Sequence, residues 1–165
     1  MAFLSKPRPG ISPTHPAFIL STWFGTGLIS KAPGTWGSLA ALPFAWGLSI
    51  WGGTPALLTA SAVCALLGWW AAAYYVAQTG TDDPKEVVVD EVAGQWLVLA
   101  AIPADPALFA LGFVLFRIFD IFKPWPVRWA DRQVGGGLGI MLDDLLAALY
   151  GALILSLVNL WWSLP

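Results

Sequence analysis

Histidine and cysteine are nearly absent from this chain, with one of each in 165 residues. Cys64 alone permits no disulfide within the chain and no cysteine-rich metal site. His15 lies between Thr14 and Pro16 in a proline-rich stretch and reads as a solvated tail residue, so phosphohistidine chemistry and a histidine general base are excluded. Charge is scarce too: 11% of residues are charged and 58% hydrophobic, whereas soluble domains are about a quarter charged. The formal net charge of −2 is too small to suggest a nucleic-acid partner or a steering field. There is no Asp-x-Asp phosphatase signature, no Gly-Lys-Ser/Thr order of a Walker loop, and no acid spacing of the kind that membrane alcohol phosphotransferases use.

What is present is a series of apolar runs. Helices are expected over about 36–51, 56–78, 84–102, 107–122 and 143–162, separated by Gly- and Pro-rich breaks. Asp83-Pro84-Lys85-Glu86 reads as the start of the third: N-cap acid, proline at the first helical position, glutamate at the third. Eleven tryptophans, many near the ends of these runs, suit the headgroup region. The expected fold is therefore an all-α polytopic membrane helical bundle of about five (four to five) transmembrane helices. Residues 1–22 are expected as a flexible cytoplasmic tail and 23–165 as a single membrane domain. With a cytoplasmic N-terminus, five crossings put all eight basic residues (Lys6, Arg8, Lys31, Lys85, Arg117, Lys123, Arg128 and Arg132) at or near the cytoplasmic face.

Nine of the ten acids fall into two windows, Asp82 to Glu91 and Asp120 to Asp144, which that threading brings to the same face. Carboxylates beside hydrocarbon are expensive, and paired carboxylates suit hard divalent cations. Asp90 and Glu91 are followed directly by an apolar run, so a solvated loop suits them less well than it suits Asp82 and Asp83. Arg117, Asp120 and Lys123 recur every third residue, offering one carboxylate and two cations to a phosphate beside a metal; a surface ladder of ion pairs is the plainer alternative. Gly135-Gly-Gly-Leu-Gly139 leads to Asp143 and Asp144, read as a flexible loop delivering two acids to a helix start. Asp131, beside Arg128 and Arg132, reads as locally paired. A loop with Gly25, Gly34, Gly37, Lys31 and Thr35 has the composition of a phosphate cradle.

Four segments in order resemble the bacterial phosphatidylglycerophosphatase A family: Gly25-Thr-Gly…Ala32-Pro-Gly-Thr-Trp-Gly-Ser38, Asp82-Asp-Pro…Val89-Asp-Glu-Val-Ala-Gly94, Arg117-x-x-Asp120-x-x-Lys123-Pro124, and Gly135-Gly-x-Gly…Asp143-Asp144. The resemblance implies a Mg²⁺-dependent hydrolase of the cytoplasmic (inner) membrane that converts phosphatidylglycerophosphate to phosphatidylglycerol. The resemblance does not assign a role to each acid. From the two windows, Asp90, Glu91 and one or both of Asp143 and Asp144 are expected to hold the metal, with Asp120 a further candidate ligand; Asp90, Glu91 and Asp120 are the expected catalytic acids. Lys31, Gly34, Thr35, Gly37, Arg117 and Lys123 are expected to bind the phosphate. Water or a carboxylate remains open as nucleophile. A small ion-coupled transporter is the competing class, but it would want charge near the bilayer midplane, and stretches such as 57–68 and 108–115 carry none.

Overall fold

The computed structural model describes residues 3–162. Among these, regular structure is helical apart from an isolated bridge between Leu4 and Ile29. The elements are α1 (Pro16–Ser21), a 3₁₀ turn (Thr26–Leu28), α2 (Pro33–Thr79), α3 (Val89–Leu99), α4 (Pro106–Phe122), α5 (Val127–Gln133) and α6 (Gly136–Trp162). Two of them, α2 and α6, are long and apolar enough to cross a membrane.

α2 is a hairpin of two arms. Its helical geometry breaks at Gly53 (φ 60°, ψ −152°), a conformation open to glycine, and Pro55 follows. The neighbours of α3 show the reversal. Gly34 lies against Glu91 and the Ala41 carbonyl accepts from the Trp96 indole at 3.0 Å, so the first arm runs parallel to α3. Past Gly53 the order inverts: Thr54 donates to the Ala100 carbonyl, Ser61 to that of Ala93, and Gly68 lies against Val89. The separate helices expected over 36–51 and 56–78 are these arms.

α3 is the central post, with Val89, Val92, Ala93, Gly94, Gln95, Trp96, Val98 and Leu99 all buried. α4 returns antiparallel to it, Gly112 meeting Leu99 and Phe116 meeting Gly94. α6 runs parallel to it, from Asp144 near Gly94 to Gly151 near Val98. Five helical arms therefore alternate in direction. One end of the bundle collects the start of α2, the starts of α3 and α6, and the end of α4. The opposite end holds Gly53, the turn before Pro106 and the close of α6.

Three local expectations need correction. α3 starts at Val89, not at Pro84. The Val88 amide donates to the Ser21 carbonyl at 2.8 Å and Gly27 presses on the Glu86 backbone, so packing against the N-terminal segment overrides the capping signal. The glycine stretch before Asp143 is helix, since α6 begins at Gly136. Gly137 lies so close to the Ala73 backbone that a Cβ would overlap it, so these glycines serve close packing on α2. The N-terminal segment is also tied down. His15 caps α1 through Nδ1 and stacks on Tyr74 at 4.3 Å, while Arg8 donates to both Glu86 oxygens at 3.1 and 3.0 Å and to Thr81. A solvated imidazole and a loose tail are therefore not what these residues form.

Gly94 tests the packing. A Cβ there would stand 2.7 Å from the Phe116 ring and 3.2 Å from the Asp144 carbonyl. Overpacking of this kind costs about 1–3 kcal/mol. Gly94→Ala should lower the thermal midpoint of the detergent-solubilised protein; an unchanged midpoint would mean that α3 and α4 separate freely.

Candidate active site

The crowded end of the bundle encloses a cavity of about 350 Å³, with an unusual density of charge on its walls. α3 contributes Asp90 and Glu91 from its first turn; α4 contributes Arg117 and, nearer its C-terminal end, Asp120, with Lys123 at its C-cap. α6 contributes Asp143 and Asp144, and α2 contributes Gly34 from its start. The helix periodicity explains these positions. Arg117 and Asp120 lie three apart, so both point from one face of α4 into the cavity.

The carboxylates divide into two groups. Asp120 is buried and lies 2.5 Å from Arg117 Nη1, which is also 3.6 Å from Glu91 Oε1. These are charge contacts without aligned hydrogen bonds, because Arg117 Nε and Nη1 have no hydrogen-bond partner. Asp143 is engaged by Lys123 Nζ at 2.6 Å, and the same ammonium also holds Asp131. Burial alone would lower the Lys123 pKa, but these two carboxylates outweigh it and hold the ammonium above the usual lysine range. The second group is Asp90, Glu91 and Asp144, which can present one oxygen each within 4.8 Å of one another.

This second group fits a hard divalent cation. Asp90 Oδ1, Glu91 Oε2 and Asp144 Oδ2 are each buried without a hydrogen-bond partner. Buried carboxylate oxygens are ordinarily satisfied, and three left bare side by side repel unless a cation lies between them. An all-oxygen donor set of this kind suits Mg²⁺ or a similar ion.

Of the residues expected at the site, the cavity gathers Gly34, Asp90, Glu91, Arg117, Asp120, Lys123, Asp143 and Asp144. Lys31, Thr35 and Gly37 do not line it. Lys31 is exposed, and Gly37 is buried against Val88, where a Cβ would stand 2.8 Å from the valine Cβ. Asp143 is drawn to Lys123 rather than into the three-oxygen group. Lys85, not among the expected residues, lines the wall beside Asp82 and Asp83. Its cue was its place in the first acidic window; read as part of a helix N-terminus, it looked like surface.

A sequence model of the phosphatidylglycerophosphatase A family matches residues 19–159. The phosphatidylglycerophosphatase A of Escherichia coli K12 is 43% identical over 92% of this chain and 88% of its own. That of Haemophilus influenzae is 40% identical over 95% of this chain and 97% of its own. The chain belongs to the phosphatidylglycerophosphatase A family. It is accordingly an enzyme of the phosphatase class. A Bacteroides thetaiotaomicron protein provisionally named phosphatidylinositol-3-phosphatase is 37% identical over 92% of this chain and 96% of its own. No solved structure matches the chain.

Gly34 offers a local test of the site. A Cβ at this position would collide with the Glu91 carboxylate and stand 3.2 Å from Arg117 Nη1. Displacing reactive groups by ~1 Å can cost on the order of 100-fold in rate. Gly34→Ala should therefore lower phosphatase turnover by tenfold or more by that scale. Gly47→Ala on the same arm, where a Cβ meets nothing within 4 Å, should retain it. Equal activities would remove Glu91 and Arg117 from the working site.

Proposed function

We propose that this protein removes the terminal phosphate of phosphatidylglycerophosphate to give phosphatidylglycerol, in a Mg²⁺-dependent reaction at the cytoplasmic face of the bacterial inner membrane. The observation that carries the reading is the buried triad of unpartnered carboxylate oxygens, from Asp90, Glu91 and Asp144, facing a cavity that also holds Arg117. A phosphomonoester beside a divalent cation needs both parts: oxygens for the metal and a guanidinium for the phosphate. The names of the two relatives, 40% and 43% identical, supply the substrate.

Asp90, Glu91 and Asp144 would hold the Mg²⁺. When bound, such an ion polarises a phosphoryl oxygen and favours ionisation of water. The chain's own groups do the rest. Arg117 would offer the phosphate its Nε, which has no hydrogen-bond partner, while its Nη1 is held by the charge of Asp120 beside it. This makes Asp120 a positioning residue, since an acid held by a guanidinium is a poor nucleophile. Lys85 and Lys123 add positive charge along the wall, where they would offset the negative charge of the transferred phosphoryl group and of the departing lipid oxygen. Lys123 is kept charged by Asp143 and Asp131.

The membrane reading is supported by the two helices, α2 and α6, that are long and apolar enough to cross a membrane. The five arms would run across the bilayer in alternation; α3, with 11 residues, is enclosed by the others and would reach the two faces through the non-helical segments at its ends. Lys31, Lys85, Arg117, Lys123, Arg128 and Arg132 belong to the end that carries the cavity, and the opposite turns at 52–55 and 103–106 contain no Lys or Arg. That asymmetry is the pattern expected of a cytoplasmic cavity end. The acyl chains of the substrate would remain in the bilayer while its phosphate reaches the shallow site.

Purified protein given phosphatidylglycerophosphate should release inorganic phosphate, lose that activity in EDTA and regain it with Mg²⁺. Asp90→Asn and Asp144→Asn should each reduce turnover at least 100-fold, on the scale of losing a catalytic metal ligand, with thermal midpoints near that of the parent. Undiminished release in EDTA would overturn the metal assignment; no release from this lipid under any condition would overturn the substrate.

A further inference from the structure

The corner between α4 and α5 carries a second concavity, of about 390 Å³, whose lining includes none of the three-carboxylate group. Lys123, Arg128 and Arg132 line it with Trp125 and Trp129, and no acid is among its lining residues. The seven residues of α5 separate charge by face. Arg128 and Arg132, four apart, turn to the groove; Asp131 turns to the catalytic cavity and pairs with Lys123; Val127 and Ala130 are buried. Arg128 spends one donor on the Phe122 carbonyl at 3.4 Å, which sets the guanidinium across the corner. Trp125 and Trp129 remain 78% and 52% exposed, and Ile121 and Phe122 beside them are 65% and 71% exposed.

We propose that this groove is a docking site for the headgroup of an anionic glycerophospholipid, separate from the catalytic cavity. The charge decides the sign of the ligand: Lys123 is already paired with Asp131 and Asp143, but Arg128 and Arg132 face the groove with no acid among its lining residues, and they call for an anion. The surroundings decide its kind. Exposed indoles belong at the headgroup level of a bilayer, and the bare apolar pair Ile121 and Phe122 continues from the groove along α4, where acyl chains would lie. A soluble anion would have no use for that apolar flank. Basic residues at such a surface each add about 1 kcal/mol to the attraction of anionic lipid. Because Lys123 faces both spaces, the docked lipid would sit next to the catalytic wall, bringing the enzyme's cavity end into register with an anionic leaflet. The proposal rests on the membrane reading above but not on the identity of the substrate.

The test reads binding rather than turnover. The full chain in a neutral detergent is titrated with phosphatidylserine, a phosphodiester without a terminal phosphomonoester, with phosphatidylcholine, and with inorganic phosphate, and bound lipid is counted by native mass spectrometry. Phosphatidylserine should bind saturably and more tightly than phosphatidylcholine. R128Q/R132Q should weaken it by about tenfold or more, the loss expected from two such charges. R128K/R132K should restore most of the affinity, which a misfolded corner would not allow. Equal binding of the two lipids, or unchanged binding in R128Q/R132Q, would overturn the proposal. Displacement of phosphatidylserine by millimolar inorganic phosphate would also overturn it, marking a free-anion site. Retained binding in a protein that never hydrolyses phosphatidylglycerophosphate would refute the proposed function alone.

Discussion

Repulsion among carboxylates is the constraint on which the cavity end of this bundle depends. Two unit charges ~4 Å apart interact by about 4 kcal/mol at an effective dielectric of ~20, and Asp90, Glu91 and Asp144 bring three carboxylates to that range. Two further buried acids, Asp120 and Asp143, stand close by. The chain offsets the latter pair internally, with Arg117 against Asp120 and Lys123 against Asp143. It offers no comparable partner to the bare oxygens of the first three. The unequal treatment is informative: a fold selected only for stability would have paired all five or replaced them with apolar residues.

Holding such a cluster requires rigid backbones brought close together, and the bundle supplies them around α3. Gly34, Gly68, Gly94, Gly112, Gly137 and Gly151 all stand where an added Cβ would meet a neighbouring helix or its side chains within 3.2 Å. Small residues allow this approach in apolar surroundings, where burial against lipid tails gives helices little reason to associate. Polar side chains add direction: Thr54, Ser61 and Trp96 each donate to a backbone carbonyl on another arm. The N-terminal segment then fixes the loop before α3 through Arg8 to Glu86 and Ser21 to Val88. Asp90 and Glu91 thus emerge from a helix start that is held from outside, rather than by a side-chain cap of its own.

The acids of the site were legible in the sequence because hydrocarbon makes charge conspicuous. Asp90, Glu91, Asp120, Asp143 and Asp144 stood out by scarcity, and alternation of apolar runs was enough to bring both windows to one end. Spacing along α4 likewise put Arg117 and Asp120 on one face. Less legible was anything set by contacts between distant segments. The capping pattern at Asp83-Pro84 was locally sound, yet α3 begins at Val89 because Ser21 and Gly27 engage the intervening backbone. Glycines carry the deepest ambiguity. Phosphate cradles and tight helix crossings ask for the same residue, so Gly37 and Gly137 looked like loop and proved to be packing. Lys31 and Lys85 were similarly indistinguishable by type; only the path of the chain puts Lys85 on the cavity wall and leaves Lys31 off it.

On the proposed function, the cavity end would have to admit a ligand that is itself strongly negative, next to acids of the same sign. A phosphomonoester carries close to two negative charges near neutral pH, so approach would be opposed unless cation charge dominated the route. The arrangement of the basic residues meets that need in layers. Arg117 lies deepest, against Asp120 and Glu91; Lys123 stands at the cavity wall; Lys85 is exposed; Arg128 and Arg132 lie on the outer face of α5. Because Lys123 is tethered by Asp143 and Asp131 on one side and borders the outer groove on the other, it is, among the described residues, the one side chain that lines both the cavity and the outer groove. A change in what Lys123 faces outside would be felt by Asp143 inside, one residue from Asp144. The economy of the design lies there: in a chain with eight basic residues, one lysine both pairs with Asp143 and Asp131 at the cavity and lines the outer groove beside it.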